Sequence, residues 1–299
     1  MTVTTKDNIT PIKVKSHSQA VTENVIKAFF RYLLLIAIGL IMLLPFIMAF
    51  LGTVKTDQEI LSYPPKFLPE VWRWDNWARV WNTDLGAGGT FPRWLFNTAF
   101  LSVTVAVAQA AFGSMAAFAF SRLKFAGRDA VFNFMLATMM IPGAVTLIPA
   151  YVLMTKLQLI NSFWSLILPG LVSAGSIFTL TSFFRSIPVD LEEAAIIDGA
   201  TYMQIFRTVI LPLAKPAILT VLILQFQSMW NSFMQPLLYL NTPDKYVLNV
   251  ALSIFQQQYK SQWNLTLVGA MFNAIPVLIL FFIFSRYYIE GVAYAGIKG

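Results

Sequence analysis

Few side chains in this 299-residue sequence are suited to catalysis or metal binding. His17 is the only histidine, cysteine is absent, and the long apolar segments contain hardly any ionisable residues. A phosphate-hydrolysing site needs a glycine-rich loop that includes a lysine, and the glycine-rich segment Gly86–Gly89 lacks one. We therefore predict no catalytic residue, no metal site and no cofactor bound directly by this chain.

One apolar segment near residue 230 carries a strip of polar side chains. The strip and its two aromatic neighbours are Gln225, Ser228, Asn231 and Gln235, with Phe226 and Trp230. Amide and hydroxyl groups beside an aromatic face suit the binding of a sugar. The same groups also hydrogen-bond neighbouring helices in a membrane, so a substrate path and interhelical contact are both open interpretations.

A polar segment over residues 190–212 carries the start and stop signals of two short helices. Asp190 and Glu193 have capping-box spacing, and Thr201 and Gln204 form a second box. Gly199 lies between them and suits the left-handed conformation that often ends a helix. The pattern predicts two capped helices separated by a tight turn at Gly199.

The second of these helices has an apolar stripe that needs a surface to pack against. The stripe consists of Ile205, Phe206, Val209 and Ile210. The accompanying charges are mostly acidic: Glu192, Glu193 and Asp198, with Arg207. Helices that lie in lipid headgroups usually carry several Lys or Arg, and anionic lipid repels acidic groups. The composition therefore favours a docking element for a protein partner.

The composition of the whole chain is typical of an integral membrane protein. It is 57% hydrophobic and 12% charged, with a mean hydropathy of +0.66, whereas soluble domains carry about 25% charged residues. The formal charge of +7 has a ready explanation in the Lys and Arg that hold loops on the cytoplasmic side. We predict a lipid bilayer as the environment and no nucleic-acid partner.

Six apolar segments are long enough to cross a bilayer, which takes about 20 residues. They are Tyr32–Leu51, Thr98–Phe120, Ala130–Tyr151, Phe163–Phe184, Pro216–Leu240 and Leu265–Tyr288. Pro142 and Pro149 predict a kink or break in the third. Small residues at helical spacing in the second predict a close helix contact; they are Ala106, Ala110, Gly113 and Ala117.

The distribution of charge predicts that both termini are cytoplasmic. An even number of spans puts the termini on one side, and placing them inside leaves most of the 21 Lys and Arg there. The domains we predict are a cytoplasmic tail over residues 1–31, disordered to about Lys27, a six-span domain over 32–290, and a cytoplasmic tail over 291–299. Five tryptophans in the first outer loop are expected at the membrane interface: Trp72, Trp74, Trp77, Trp81 and Trp94.

The polar segment resembles a known family signature. Glu193-Ala194-Ala195, Gly199 and Leu211-Pro212 match the EAA motif of ABC importer permeases throughout, apart from Val209 where the motif has isoleucine. The C-terminal stretch from Ser285 to Gly299 is similar to the ending of the smaller permease of maltose-type sugar importers. The sequence is identified as a member of the carbohydrate-uptake group of ABC permeases.

The resemblance implies an all-α membrane fold in which residues 190–212 form a cytoplasmic coupling helix pair. Its partners would be a second permease, two ATP-binding subunits that hold ATP and Mg, and an extracytoplasmic sugar-binding protein. The implied docking residues are Glu193, Ala194, Ala195, Asp198, Gly199, Ile205, Phe206, Val209, Leu211 and Pro212. The tail over 291–299 is expected to reach the ATP-binding subunits.

Other functions remain as alternatives. An importer of glycerol phosphate or a polyol would use the same machinery, although a phosphorylated solute favours cations along the path. A membrane enzyme would need convergent His, Asp or Glu, and a passive pore would leave the capped helix pair unexplained. We therefore predict a sugar-importing permease of the cell membrane that is not itself an enzyme.

Overall fold

The regular secondary structure of the described residues is helical, with loops and turns between the helices. The computed structural model describes residues 17–258 and 262–296, and the side chains of 27–257 and 262–284. In the described part the extended backbone pairs once, in an isolated bridge between Asp84 and Thr90. The predicted all-α fold is confirmed.

The helices vary from one turn to more than thirty residues. In chain order they are α1 His17–Thr53, α2 Asp57–Ile60, α3 Asp75–Trp81, α4 Phe91–Arg122, α5 Arg128–Thr138, α6 Gly143–Lys156, α7 Trp164–Gly170, α8 Ala174–Ser186, α9 Asp190–Ile197, α10 Tyr202–Ile205, α11 Leu211–Leu213, α12 Lys215–Trp230, α13 Met234–Tyr239, α14 Leu248–Gln258 and α15 Trp263–Gly296. A π-helical turn, Phe206–Ile210, joins α10 to α11, and a 3-10 turn, Pro243–Lys245, follows α13.

Four helical segments are long and apolar enough to cross a membrane, and two bent pairs raise the number to six. The four are Lys27–Thr53, Phe91–Arg122, Trp164–Ser186 and Trp263–Phe284. In one bent pair α5 and α6 meet at 100°, and in the other Tyr202–Leu213 and Lys215–Trp230 meet at 76°. These counts apply to the described residues and agree with the six predicted segments.

The proline predictions for the third segment are half right. The break occurs at Pro142, which is the residue before α6 and has an extended backbone. Pro149 lies inside α6 without interrupting it. The break lies between Thr138 and Gly143, where Pro142 has an extended backbone and no N–H to continue the helix from α5.

The predicted fifth span, Pro216–Leu240, is interrupted. Helix α12 ends at Trp230, and α13 begins at Met234. Pro236 has no N–H to donate to the carbonyl of Ser232, so a continuous helix would be broken here, whereas proline is tolerated in the first turn of a new helix.

The chain divides into two units, the first ending at Leu51 and the second beginning at Gly52. The first is described from His17, and it is one continuous helix, α1. Because this helix begins at His17, the prediction of a disordered tail up to Lys27 is wrong for residues 17–27. Residues 1–16 lie outside the described part of the chain.

Helix α4 lies at the centre of the second unit, packed against α8 and α12. Its predicted small-residue face is buried, with Ala106, Ala110 and Ala117 at most 6% exposed. A Cβ added to Gly113 would lie 3.3 Å from the Leu180 side chain of α8. The small side chains therefore permit the close contact that the sequence predicted.

A buried amide network fixes the loop between α1 and α4 to the start of α15. Asn76 Nδ2 donates to the carbonyls of Thr53 and Lys55 at 2.9 and 3.1 Å. The amide N–H of Asn264 donates to Asp57 Oδ1 at 3.0 Å, and its side chain reaches Lys55 O and Asn76 Oδ1. The loop is therefore a folded element of the second unit.

The tryptophans of this loop do not share one environment. Trp72 and Trp74 are exposed and stack with ring centroids 6.0 Å apart. Trp94 is fully buried and donates from Nε1 to the carbonyl of Pro243 at 2.8 Å. The Trp94 ring therefore belongs to the core between α4 and the segment that follows α13.

Helix α15 continues to Gly296, beyond the predicted domain boundary at residue 290. The predicted C-terminal tail is therefore helical over residues 291–296. Its last residues, 297–299, and all side chains from 285 onward lie outside the described residues, as does the predicted contact of this tail with ATP-binding subunits.

Candidate functional site: the helix pair before α12

The turn between α9 and α10 is fixed by local hydrogen bonds. Gly199 has a φ of +82°. Its N–H donates to the carbonyl of Ile196, and the N–H of Ala200 donates to the carbonyl of Ala195, both at 2.9 Å. This pattern is the Schellman motif, in which glycine takes the left-handed position. The sequence prediction for Gly199 is confirmed.

The capping box at the start of α10 is also confirmed. Thr201 N donates to Gln204 Oε1 at 2.7 Å, and Gln204 N donates to Thr201 Oγ1 at 3.4 Å. Both partners of the box are therefore present. Together with the turn at Gly199, the box sets the direction in which α10 leaves α9.

The capping box predicted for α9 is absent. Helix α9 is preceded by Val189, whose carbonyl accepts from the N–H groups of Glu192 and Glu193 at 2.8 and 3.0 Å. Asp190 is thus the first helical residue, and no side chain caps this end. The Glu193 carboxylate is exposed and does not reach back to its own helix, so it is available to a partner.

The apolar stripe faces the protein's own core. Ile205, Phe206 and Ile210 are 1%, 8% and 0% exposed, and the Phe206 ring lies 5.1 Å from that of Phe118 on α4. Val209 and Leu211 pack half-buried against the same cluster. The expectation that Ile205 and Phe206 present a docking surface is corrected, because they hold the helix pair against α4 and α8.

A different set of apolar side chains is exposed around the turn. We call this set the turn surface, and it comprises Ile196, Ile197, Tyr202 and Met203. Ile197 is 85% exposed, and the other three are between 48% and 61% exposed. Sequence reasoning missed these residues because only the longer stripe has a clear helical period. The signal for these residues in the sequence is their position on either side of the Gly199 turn.

The charged residues near the turn differ in their environments. Asp198 and Arg207 are both exposed, and no ion pair joins them among the described side chains. Glu192 is buried instead, with Oε1 2.5 Å from Nε of Arg122 at the end of α4. Burial raises the pKa of Glu192, while the Arg122 cation opposes that shift.

The segment after the turn changes its helical geometry before α12. Residues Phe206–Ile210 form a π-helical turn, followed by Leu211 and Pro212 in a short α-helical turn. Single π-helical turns frequently lie at functional sites. The turn allows Ile210 and Ala214 to be fully buried in the same cluster and leaves Pro212 exposed.

The polar strip near residue 230 is divided between core and surface. Trp230 is 2% exposed, donates from Nε1 to Asn273 O at 3.1 Å, and stacks on Phe226. Asn231 donates to its own helix at Gln227 O at 2.9 Å. Trp230 is therefore a packing residue that joins α12 to α15. Because Trp230 is buried, its position does not support the predicted role in lining a path.

The remaining strip residues are accessible. Ser228 and Gln235 are exposed, and Gln225 is half-buried. Helix α13 carries Gln235, so the break after Trp230 separates it from the other two. The described residues contain no group of three or more His, Asp or Glu that could hold a metal ion.

The family model for the binding-protein-dependent transport system inner membrane component matches residues 109–291. This match covers more than half of the chain and includes the helix pair, α12 and most of α15. The chain belongs to this family. It is a permease subunit of an ABC importer, and its role is transport and not catalysis.

Relatives and a solved structure agree with this assignment. The permease is 31% identical to the arabinooligosaccharides transport system permease protein AraQ of Bacillus subtilis, over 88% of this chain and 92% of that protein. It is 26% identical to the sn-glycerol-3-phosphate transport system permease protein UgpE of Yersinia pestis, over 88% and 95%. A bacterial ABC transporter that imports the acidic polysaccharide alginate contains a chain of the same fold, with a TM-score of 0.74, 25% identity, and coverage of 93% and 100%.

Proposed function

We propose that this permease imports a saccharide and that the α9–α10 pair docks an ATP-binding subunit. The observation that carries the docking is the turn surface, which is apolar, exposed and held at a fixed angle by the Schellman motif and the capping box. Exposed apolar side chains on a rigid element are typical of an interface core with a polar rim. Glu193 supplies a charged group at its edge.

The ten docking residues implied by the EAA motif divide into two groups. The exposed group is Glu193, Ala194, Asp198, Gly199 and Pro212. The supporting group packs inward or is half-buried, and consists of Ala195, Ile205, Phe206, Val209 and Leu211. We infer that the first group, with the turn surface, contacts the ATP-binding subunit and that the second transmits its displacement to α4 and α8.

The solute we propose is an uncharged or weakly charged saccharide. Gln225, Ser228 and Gln235 offer amide and hydroxyl groups along α12 and α13, where residues 216–239 include no Lys, Arg or His. A path for glycerol phosphate, the solute named for UgpE, would need cations to offset the phosphate charge. The name of AraQ supports an oligosaccharide, so a sugar is favoured over glycerol phosphate or a polyol.

The partners we propose follow from the family. Half of the translocation path would come from a second permease, ATP and Mg would be held by two ATP-binding subunits, and an extracytoplasmic binding protein would deliver the sugar. This arrangement requires the α9–α10 pair and both termini to be cytoplasmic, in the inner or plasma membrane. The excess of Lys and Arg on that side supports the orientation.

Copurification of ATPase activity tests the docking. The permease has no site for ATP hydrolysis of its own, so ATPase activity that purifies with it from native membranes reports a bound subunit. Glu193→Gln removes a charge-assisted contact worth about 2–5 kcal/mol, and Ile197→Asp places a charge in the centre of the turn surface. Both variants are expected to lose most of the copurifying activity.

Two matched variants provide the controls. Asp190→Asn removes an exposed charge from the same helix, and Ile197→Leu keeps the apolar character, so both should retain wild-type activity. Equal ATPase activity with Ile197→Asp would show that the partner docks elsewhere.

A further inference from the structure

Arg122 is a buried cation that joins three elements. It is the last residue of α4, and its side chain is 8% exposed. Its Nη2 atom donates to the carbonyls of Phe184 and Ile187 at 2.6 and 2.8 Å, and its Nε lies 2.5 Å from the Glu192 carboxylate. One side chain therefore holds the ends of α4 and α8 and the start of α9 together.

The carbonyl contacts explain why arginine suits this position. Helix α8 ends at Ser186 with Ile187 following it, and the last carbonyls of a helix lack partners within the helix and carry partial negative charge. A guanidinium group has several donors in a fixed planar arrangement. Its Nη2 donates to two carbonyls while its charge lies beside the Glu192 carboxylate, an arrangement that a lysine ammonium does not reproduce in the same geometry.

Helix α9 has little else to hold it. The apolar cluster formed by α4, α8 and the segment from Ile205 to Val221 takes in only Ala195 from α9. Leu191, Ile196 and Ile197 are exposed. The α10 end of the pair is thus anchored by apolar burial, while the α9 end is anchored through the Glu192 carboxylate.

The pair is better suited to fixing a position than to stabilising the fold. Taking two charges out of water costs about as much as their attraction returns, and burial raises the pKa of Glu192 despite the adjacent cation. An apolar pair of similar volume would hold α9 at least as strongly, but it would not attract one point of α9 to one point of α4. What the ion pair adds is one defined register of α9 against α4.

We propose that Arg122 is a positioning residue that couples displacement of α9 to the ends of α4 and α8. A push on the turn surface would then move these two membrane-spanning helices together, because both are bonded to the same guanidinium group. The coupling step rests on the proposed docking of an ATP-binding subunit. The anchoring of α9 by Arg122 does not.

The anchoring is tested by hydrogen–deuterium exchange on the full-length permease in lipid nanodiscs. Glu192→Gln keeps the size of the side chain and removes its charge, and the exchange rates of α9 amides are expected to rise about tenfold, with α12 unchanged. Asp190→Asn, which removes an exposed charge from the same helix, should leave all rates unchanged. Unchanged α9 exchange in Glu192→Gln would overturn the proposal.

The spread of the faster exchange separates positioning from a general structural role. The thermal unfolding midpoint of Glu192→Gln is expected to fall, because the buried Arg122 cation loses its charged partner, while the faster exchange stays confined to α9. A lowered midpoint together with faster exchange in α4, α8 and α12 would show general destabilisation and would also overturn the proposal. Arg122→Lys should reproduce the effect of Glu192→Gln on α9.

The coupling is tested in the complex with its ATP-binding subunits. Trapping with ATP and vanadate should change the exchange of the amides at the end of α8 in the wild type and in Asp190→Asn. That response should be lost in Glu192→Gln, although the subunits remain bound. A retained response would overturn the coupling step, whereas failure of any ATP-binding subunit to bind the wild type would refute the proposed docking and leave the anchoring result standing.

Discussion

At the scale of single residues, Gly199 has the most constrained backbone in the helix pair. Its φ of +82° lies in the region that residues with a Cβ rarely adopt, and a Cβ built there meets no atom within 4 Å. The requirement for glycine therefore comes from the backbone conformation and not from crowding. The Cβ of a larger residue at this position would have open space around it.

Gly199→Val is expected to destabilise the turn by about 1 kcal/mol or more while leaving the permease inserted. The angle between α9 and α10 should change, and copurifying ATPase activity should fall. Gly199→Asn is the matched variant, because asparagine tolerates the left-handed region, and it should lose less activity. If the valine variant copurifies with full activity, the turn does not set the docking geometry.

At the scale of elements, the orientation of an amphipathic helix depends on its neighbours. The stripe containing Ile205 and Phe206 has the period of a helix face, and that period is equally compatible with an external partner or an internal core. The stripe packs against an internal surface, because the adjacent faces of α4 and α8 place Phe118, Leu180 and Phe184 against it. The exposed side of the pair is then the turn surface.

The strip near residue 230 gives a prediction at the same scale. Trp230→Ala should destabilise the permease by about 3–5 kcal/mol, because a fully buried side chain is removed from the contact between α12 and α15. Gln235→Ala should change the unfolding free energy by less than about 0.5 kcal/mol, since its side chain is exposed. Thermal unfolding in detergent measures both.

Measurements of solute-stimulated ATP hydrolysis complete that test. If Gln235 contacts the solute, the alanine variant should lower solute-stimulated ATP hydrolysis in the assembled complex at unchanged stability. A Gln235→Ala complex with wild-type stimulation would assign this residue to contact with another helix.

At the scale of the whole molecule, the topology is open to a direct test. The chain contains no cysteine, so single-cysteine variants report one position without background. Ala200→Cys should react with a membrane-impermeant thiol reagent only from the cytoplasmic side, and Ala87→Cys only from the opposite side. Labelling of Ala200→Cys in intact cells would contradict the proposed orientation and, with it, the docking of an ATP-binding subunit.

Features that depend on residues close together in the chain could be predicted from the amino-acid sequence. The all-α fold, the break at Pro142, the turn at Gly199 and the box of Thr201 and Gln204 each arise from hydrogen bonds or steric limits within about six positions. Such interactions are the same in any surrounding structure. They could therefore be predicted without knowing how the helices pack.

Contacts between groups that are far apart in the chain could not be predicted in this way, because they depend on how the helices pack. The Glu192 side chain is buried because α4 brings Arg122 to it, and Trp230 is a core residue because α15 supplies the Asn273 carbonyl. At the start of α9, Glu192 forms an ion pair with the distant Arg122, while the local cap expected from Asp190 and Glu193 does not form. Burial and pairing depend on what a neighbouring element presents, and residues far apart in sequence carry no periodic signal of that contact.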